Sequence, residues 1–504
     1  MKLELCSPEK VGVSTESILN FIKAAEAIGV EMHSLMLLRH GKVFAKAWWD
    51  PYKPEVPHAL FSFTKTLTAT AIGFAEQEGA LQLTDKLCDI FPDFLPENPS
   101  ENLLKADIYS LLTMSCGHET EVGTENWEKE FLEDGSEHQW ERAFFAHEFK
   151  YAPGTMFQYN TVGTNMLCAV LKRKTGEDLT EYLRPRLLEP LGMEFVCRKM
   201  PDGVEMGGAG GLLRTEDMAK FIQFFLQRGV WEGKRLLNES WFDRATVKQI
   251  ETVNPVFTNH DSNWRLGYGF QMWRCIPDGL YRADGAFGQF GVVVPDKDAV
   301  IIATSASTYP DDLLNLMWKH LLPGMKDGEL PADPAAQQKL EHCLSEAKLP
   351  TLWGVRDRAC EKALEGVRFV PKEIKLLGLT ALIGGFGAQT DSSGSIAEMT
   401  LAFDEGEALL TVRQQDGKTE KLPIALDNRW AACTLRGKPY AATGRWRGQN
   451  HFEFEARCTE AASGSRFLLN FAPDELEMDV DYTLPTPGLL NANSGVSHVV
   501  FERI

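Results

Sequence analysis

The hydrophobic pattern of this chain changes period part-way along, and that change limits the folds open to it. Residues 14–28 open on Ser14 and Thr15 and carry Ile18, Phe21, Ile22 and Ala25 at helical spacing, which predicts an amphipathic helix. Residues 215–229 repeat the pattern with Met218, Phe221, Ile222, Phe225 and Leu226. Thr215 is the expected N-cap there and Gly229 the expected stop. Two apolar stretches flank Arg39-His40-Gly41-Lys42, which reads as a hairpin turn. Residues 290–305 read as two strands joined by Pro295-Asp296-Lys297-Asp298, and residues 311–322 as a further helix. This order predicts an α/β (α+β) domain, an antiparallel sheet flanked by helices. Beyond about residue 375 the period becomes two. Met399, Leu401 and Phe403 alternate with Thr400 and Ala402, and Phe452, Phe454 and Ala456 with Glu453, Glu455 and Arg457. A β-rich barrel or sandwich follows from that. The stretch 323–350 is rich in Pro, Asp and Glu and reads as a connector carrying one short helix. The expected organisation is a first domain over 1–325, a linker over 326–370 and a β-rich domain over 371–504. A length of 504 residues agrees with two cores.

The formal net charge is −19. It disfavours nucleic acid and anionic membrane surfaces as partners. No apolar stretch is long enough to span a bilayer, and the opening MKLELCSPEKVGVS lacks a basic start followed by an apolar run. The expected location is cytoplasmic. Ten cysteines are scattered without a CxxC pair or a Cys/His cluster at metal spacing, which suits buried thiols in a reducing compartment.

Chemistry concentrates at Ser62-Phe63-Thr64-Lys65. Residues 60–78 read as a helix apolar nearly all round, hence buried. Residues three apart lie on one helix face, so the lysine amine can reach the serine hydroxyl. A serine is inert until something takes its proton, and a desolvated lysine has a lowered pKa suited to that task. The tetrapeptide by itself is equally compatible with an ordinary first turn and a solvated lysine.

The surroundings are more specific. The stretch HALFSFTKTLTATAIGFAEQEGALQLTDKLCDIFPDFLP resembles the serine penicillin-recognising enzymes, and most closely their class C β-lactamase, esterase and D-aminopeptidase branch. DIYSLLTMSCGH at 107–118, YAPGTMFQYNTVGTNML at 151–167, LRPRLLEPLGM at 183–193, GGAGGLLRTEDMAKF at 207–221 and ADGAFGQFGVVVPDKDAVIIA at 283–303 resemble the same family in the same order. The likeness covers roughly residues 7–322 and leaves the β-rich tail outside.

The resemblance implies an acyl-enzyme hydrolase. Ser62 is then the nucleophile, and Tyr159, after Pro153-Gly154, is the partner of Lys65, its phenolate stabilised by the lysine charge. The N–H groups of Ser62 and Ala286 would form the oxyanion hole, with Gly285 allowing close backbone approach. Two positions depart from the family pattern. Thr161 stands where asparagine is expected and cannot offer a two-way amide contact. Ala283-Asp284-Gly285 stands where a cationic residue is expected, and an aspartate there would repel a substrate carboxylate unless Arg282 or His118 restores positive charge. The alternative reading of Asp284 is a solvent-facing turn residue. Thr161, Asp284, Gly285 and His118 are the candidate substrate-binding residues. His118 is alternatively a loop histidine bonded to a carbonyl. Trp264, Tyr268, Phe270 and Trp273 line either a pocket or the core.

The expected function is an esterase or small amidase acting on a neutral or cationic small molecule, with no metal or organic cofactor. A D-amino-acid peptidase or β-lactamase-like activity is the alternative within the class. A non-catalytic binding or sensor protein on the same fold is the alternative outside it. The tail has three candidate roles: lid, homo-oligomer contact or ligand module.

Overall fold

The computed structural model describes residues 3–121, 139–200, 202–255, 262–372, 378–384, 395–483 and 498–504. The chain divides into two compact units, Met1–Ala47 with Leu60–Ser345, and Trp48–Ala59 with Glu346–Ile504.

The first unit is built on a seven-stranded sheet. Its strands are β1 (Glu4–Leu5), β2 (Met32–Arg39), β3 (Lys42–Trp48), β4 (Trp273–Arg274), β5 (Tyr281–Gly285), β6 (Gln289–Val294) and β7 (Ala299–Ser305). Their order is β1-β3-β2-β7-β6-β5-β4. The two-residue β1 runs parallel to β3, while β7 pairs antiparallel with β2 and β6, and β6 antiparallel with β5. The first hairpin and the last strands thus meet mid-sheet, with Leu37 opposite Ile301. Every residue of β2, β6 and β7 is buried, so both faces of the sheet are covered.

The cover is helical. The helices that matter here are α1 (Thr15–Ala27), α2 (Thr64–Gln77), α3 (Thr161–Thr175), α4 (Thr215–Leu226), α5 (Pro310–Leu316) and α6 (Pro334–Ser345). The apolar stripe of α4 packs on β7, β6 and β2. The N-cap of α4 is Arg214, not Thr215. Thr215 is its first helical residue, and its hydroxyl donates to Ser34 Oγ at 2.8 Å, tying α4 to β2 instead of capping. Helix α1 packs with α5 and with α6, the helix of the connector. The sequence-predicted helix from 311 onward begins at Pro310 and continues as a π-helical turn over Met317–Leu321.

Residues 64–75 of α2 are all buried, and the helix lies along α3. Its threonines survive there because their hydroxyls are satisfied. Thr66 donates to the Gln271 carbonyl, Thr68 to that of Gly207 and Thr70 to that of Thr66.

The second unit settles the choice between barrel and sandwich. Its strands are β8 (Phe369–Pro371), β9 (Ile396–Phe403), β10 (Glu407–Gln414), β11 (Thr419–Ala425), β12 (Ala431–Leu435), β13 (Lys438–Gly448), β14 (His451–Cys458), β15 (Gly464–Phe471), β16 (Glu475–Tyr482) and β17 (His498–Arg503). Among the described residues nine of them close into a barrel, in the order β11-β10-β9-β8-β17-β16-β15-β14-β13. Ala425 opposite Thr443 joins the two ends, and β12 pairs with β13 outside the ring. The period-two residues Met399, Leu401, Phe452, Phe454 and Ala456 share one core with Leu379, Leu382 and Ile383 of a short helix. The Phe454 and Phe467 rings stack within it at 4.4 Å. The segment Trp48–Ala59 joins this unit through main-chain bonds of Asp50 with Ala347 and Leu349, and through the Tyr52 hydroxyl on the Ala461 carbonyl.

Among the described residues no helix is long and apolar enough to cross a membrane.

Candidate active site

A 3-10 turn, Phe61–Phe63, runs directly into α2. Ser62 is its one partly exposed residue, and residues 63–75 behind it are buried. Lys65 follows one turn later and is only 1% exposed. Its amine donates to Ser62 Oγ at 3.0 Å, to Thr161 Oγ1 at 3.2 Å and to the Gly208 carbonyl at 2.6 Å. Burial pushes the Lys65 amine down to about 7, against the opposing pull of Glu121 and Asp284. A lysine at that value is half neutral at neutral pH, and the uncharged fraction carries a free electron pair.

The groups around Lys65 come from distant segments. Gly208 sits where a side chain could not: a Cβ there would meet the Thr161 carbonyl at 2.6 Å. Its N–H donates to Asn165 Oδ1, which aims its carbonyl at Lys65. Glu121 accepts the Thr161 N–H at 2.9 Å, at the start of α3. These partners escaped sequence reading. Gly208 lies in a glycine-rich run that was legible only as a family block, and a single acid such as Glu121 carries no pattern.

Tyr159 joins the cluster from the segment just before α3. It is partly exposed, yet desolvation raises its phenol well above the ordinary pKa, against the opposing effect of Ser62. The ring stacks on Trp273 at 5.7 Å and meets Tyr268 edge-on at 6.5 Å. Lys65 Nζ lies 4.9 Å from its centroid. Desolvation thus favours the neutral phenol, against the phenolate that the resemblance implies. Trp264, Tyr268, Phe270 and Trp273 are buried; Tyr268 and Trp273 pack on Tyr159, Trp264 packs on Trp273, and Phe270 packs on Tyr109 and Trp241.

Thr161 directs its hydroxyl to Lys65. Asn160 does not take the place of the expected asparagine, because its Oδ1 caps α3 on the Gly163 N–H and its amide donates to His118 Nδ1 at 3.0 Å. Among the described residues His118 is linked toward the site through Asn160. It is 2% exposed, packed against Phe144 and Phe149, and burial lowers its pKa to about 3.

The sheet edge completes the constellation. Asp284 is not a solvent-facing turn residue: it lies on β5 and is 9% exposed. Its Oδ2 accepts from Arg282 Nε at 2.7 Å, and Arg282 is fully buried with its guanidinium over the Trp264 ring. Burial lifts the Asp284 carboxyl above the usual range, while Arg282 and Lys65 pull it back. The edge thus presents an internal ion pair, and Arg282 offsets the lone-carboxylate repulsion anticipated from the sequence. A Cβ on Gly285 would stand 2.1 Å from the Leu60 carbonyl, so only glycine lets β5 run this close to the Ser62 turn. Ala286 follows, exposed, with its carbonyl held by Gln289 Nε2 at 2.9 Å. Among the described residues no group of three or more His, Cys, Asp or Glu side chains is placed to hold a metal ion.

The sequence matches the family model described as Beta-lactamase over residues 23–323. The chain belongs to the Beta-lactamase family. It is 25% identical over 270 residues to Protein flp of Staphylococcus aureus (strain MW2), an alignment covering 46% of this chain and 53% of that protein. It is 22% identical over 303 residues to the 6-aminohexanoate-dimer hydrolase of Paenarthrobacter ureafaciens, covering 55% of this chain and 73% of the relative. The chain thus spans about half the length of the first relative and about three quarters of the second. In structure it is similar to a penicillin-binding-protein homologue from Caulobacter crescentus. The TM-score is 0.50 at 16% identity, over 63% of this chain and 99% of the other, a likeness of fold.

The close approach at Gly285 carries a direct consequence. Gly285→Ala must displace β5 from Leu60, and a shift near one ångström at a reacting centre costs about a hundredfold in rate. The variant is expected to lose at least tenfold in serine-probe labelling rate with circular dichroism unchanged.

Proposed function

We propose that the protein is a serine hydrolase that forms an acyl-enzyme on Ser62 and acts on small neutral esters or amides. The observation that carries this reading is a desolvated Lys65 amine 3.0 Å from a partly exposed Ser62 hydroxyl. Neutral Lys65 takes the hydroxyl proton as Ser62 Oγ attacks the carbonyl carbon. The oxyanion meets the N–H groups of Ser62 and Ala286. The proton returns from Lys65 to the leaving group, with the Tyr159 phenol as relay, and the carbonyl re-forms as the ester or amide bond breaks. Water, activated by the same pair, then adds to the acyl-enzyme and releases the acid.

The substrate class rests on the sheet edge. The Arg282–Asp284 pair leaves no free cation on β5 to draw a carboxylate, and Thr161 is committed to Lys65. Both weigh against a penicillin. The relative named as a 6-aminohexanoate-dimer hydrolase keeps amides beside esters. A D-amino-acid amide is the second reading, favoured by Glu121 beside the Lys65 amine. A cytoplasmic location remains part of this proposal, as does a homo-oligomer.

A fluorophosphonate probe is expected to label the wild type at Ser62. Short-chain nitrophenyl esters should turn over with higher kcat/KM than D-alanyl amides, and Ser62→Ala should abolish both labelling and turnover. Labelling that persists in Ser62→Ala would sink the assignment.

The pH profile follows from Lys65. Its amine acts only when unprotonated, so kcat/KM should rise as pH climbs through about 7 and level off above. A profile flat from about pH 6 to about pH 9 would remove Lys65 from the base role.

A further inference from the structure

Two phenylalanines flank the oxyanion donors in a backbone conformation that large side chains rarely adopt. Phe61, immediately before Ser62, has φ 48°, and Phe287, immediately after Ala286, has φ 66°. Glycine occupies that region freely, whereas a bulky residue there is strained. Strain of this kind persists only where the surroundings over-determine it, and it clusters at functional sites. Neither position holds the glycine that would relieve it.

What the phenylalanines supply instead is each other. Their rings meet edge to face, with centroids 5.2 Å apart and planes at 77°. One ring stands on the turn that feeds α2, the other on the turn that leaves β5. Each turn is tied to its own neighbourhood. The Phe61 carbonyl accepts the Thr64 hydroxyl at 2.7 Å, and the Phe287 carbonyl accepts the Ser305 hydroxyl at 2.7 Å and the Ser307 N–H at 2.9 Å. These bonds orient each turn separately and do not set the distance between the two. An oxyanion hole needs that distance, since both N–H groups must come within about 3 Å of one oxygen.

We propose that Phe61 and Phe287 are positioning residues, whose ring contact sets the mutual placement of the Ser62 and Ala286 N–H groups. The proposal rests on the Ser62 acyl-enzyme reading. Edge-to-face pairs have a preferred geometry, so the contact resists sliding of one turn past the other. The contact also accounts for phenylalanine at positions where the backbone alone would favour glycine.

The test uses the full-length protein, nitrophenyl acetate turnover, fluorophosphonate labelling and thermal melting. Phe287→Gly removes the ring and also removes the strain, so its Tm should hold or rise. Its kcat and labelling rate should fall by about tenfold to a hundredfold, with KM changed less than about threefold. Phe287→Tyr keeps the ring and should restore kcat to within about threefold. Adding Phe61→Leu to Phe287→Gly should cost little more, because the contact is already gone. Wild-type kcat in Phe287→Gly would overturn the proposal. So would a kcat loss that tracks a fall in Tm, or losses at the two positions that simply multiply. A wild type that the probe does not label at Ser62 removes the acyl-enzyme reading and this proposal together. A wild type and Phe287→Gly labelled at equal rates remove this proposal alone.

Discussion

The site depends on keeping water away from one amine. Lys65 lies inside a helix whose first twelve residues are buried, and a buried ammonium is costly unless it is paired or neutralised. The structure meets that cost in two ways. It supplies three oxygen acceptors, from Ser62, Thr161 and Gly208, and it lets the proton leave near neutral pH. Removing water lowers the amine's pKa, which suits the base role proposed for it, and the acceptors hold it against the serine. The glycine-rich run after residue 206, the cap on α3 and the threonine hydroxyls along α2 all serve that burial. Desolvation likewise favours the uncharged form of the Tyr159 phenol.

The second demand falls on the backbone. Charge that develops on a substrate oxygen must meet donors already in place, and the proposed donors, the N–H groups of Ser62 and Ala286, come from segments more than two hundred residues apart. Gly285 permits the close approach of those segments, and Gln289 holds the turn that follows. The sheet is the frame: β5 and β6 bring residues 285–289 to the start of α2, while the all-buried β2 and β7 anchor the sheet centre.

Local pattern made much of this legible. The periodicity of α1 and α4, the hairpin at His40-Gly41 and the paired strands β6 and β7 follow from residue spacing alone. The spacing of Ser62 and Lys65 puts both on one helix face, but that the amine is buried against the serine and not solvated shows only in the fold. What stayed hidden was non-local. Alternation along β9 and β14 predicts two-faced strands without saying whether they close into a barrel, since closure rests on Ala425 meeting Thr443. The membership of Trp48–Ala59 in the second unit depends on bonds to residues about 300 to 400 positions away. Asp284 showed the limit in the other direction. Its partner Arg282 is two residues away on the same strand face, yet only the fold shows that the two neutralise each other.

The Lys65 proton is where the account is most exposed. With lysine labelled with carbon-13 at Cε, the resonance missing from Lys65→Met reports its protonation directly. A titration midpoint near 7 is the result this account predicts. A midpoint near the ordinary lysine value, about 10.4, would mean that Lys65 stays charged at neutral pH and is not the base that activates Ser62.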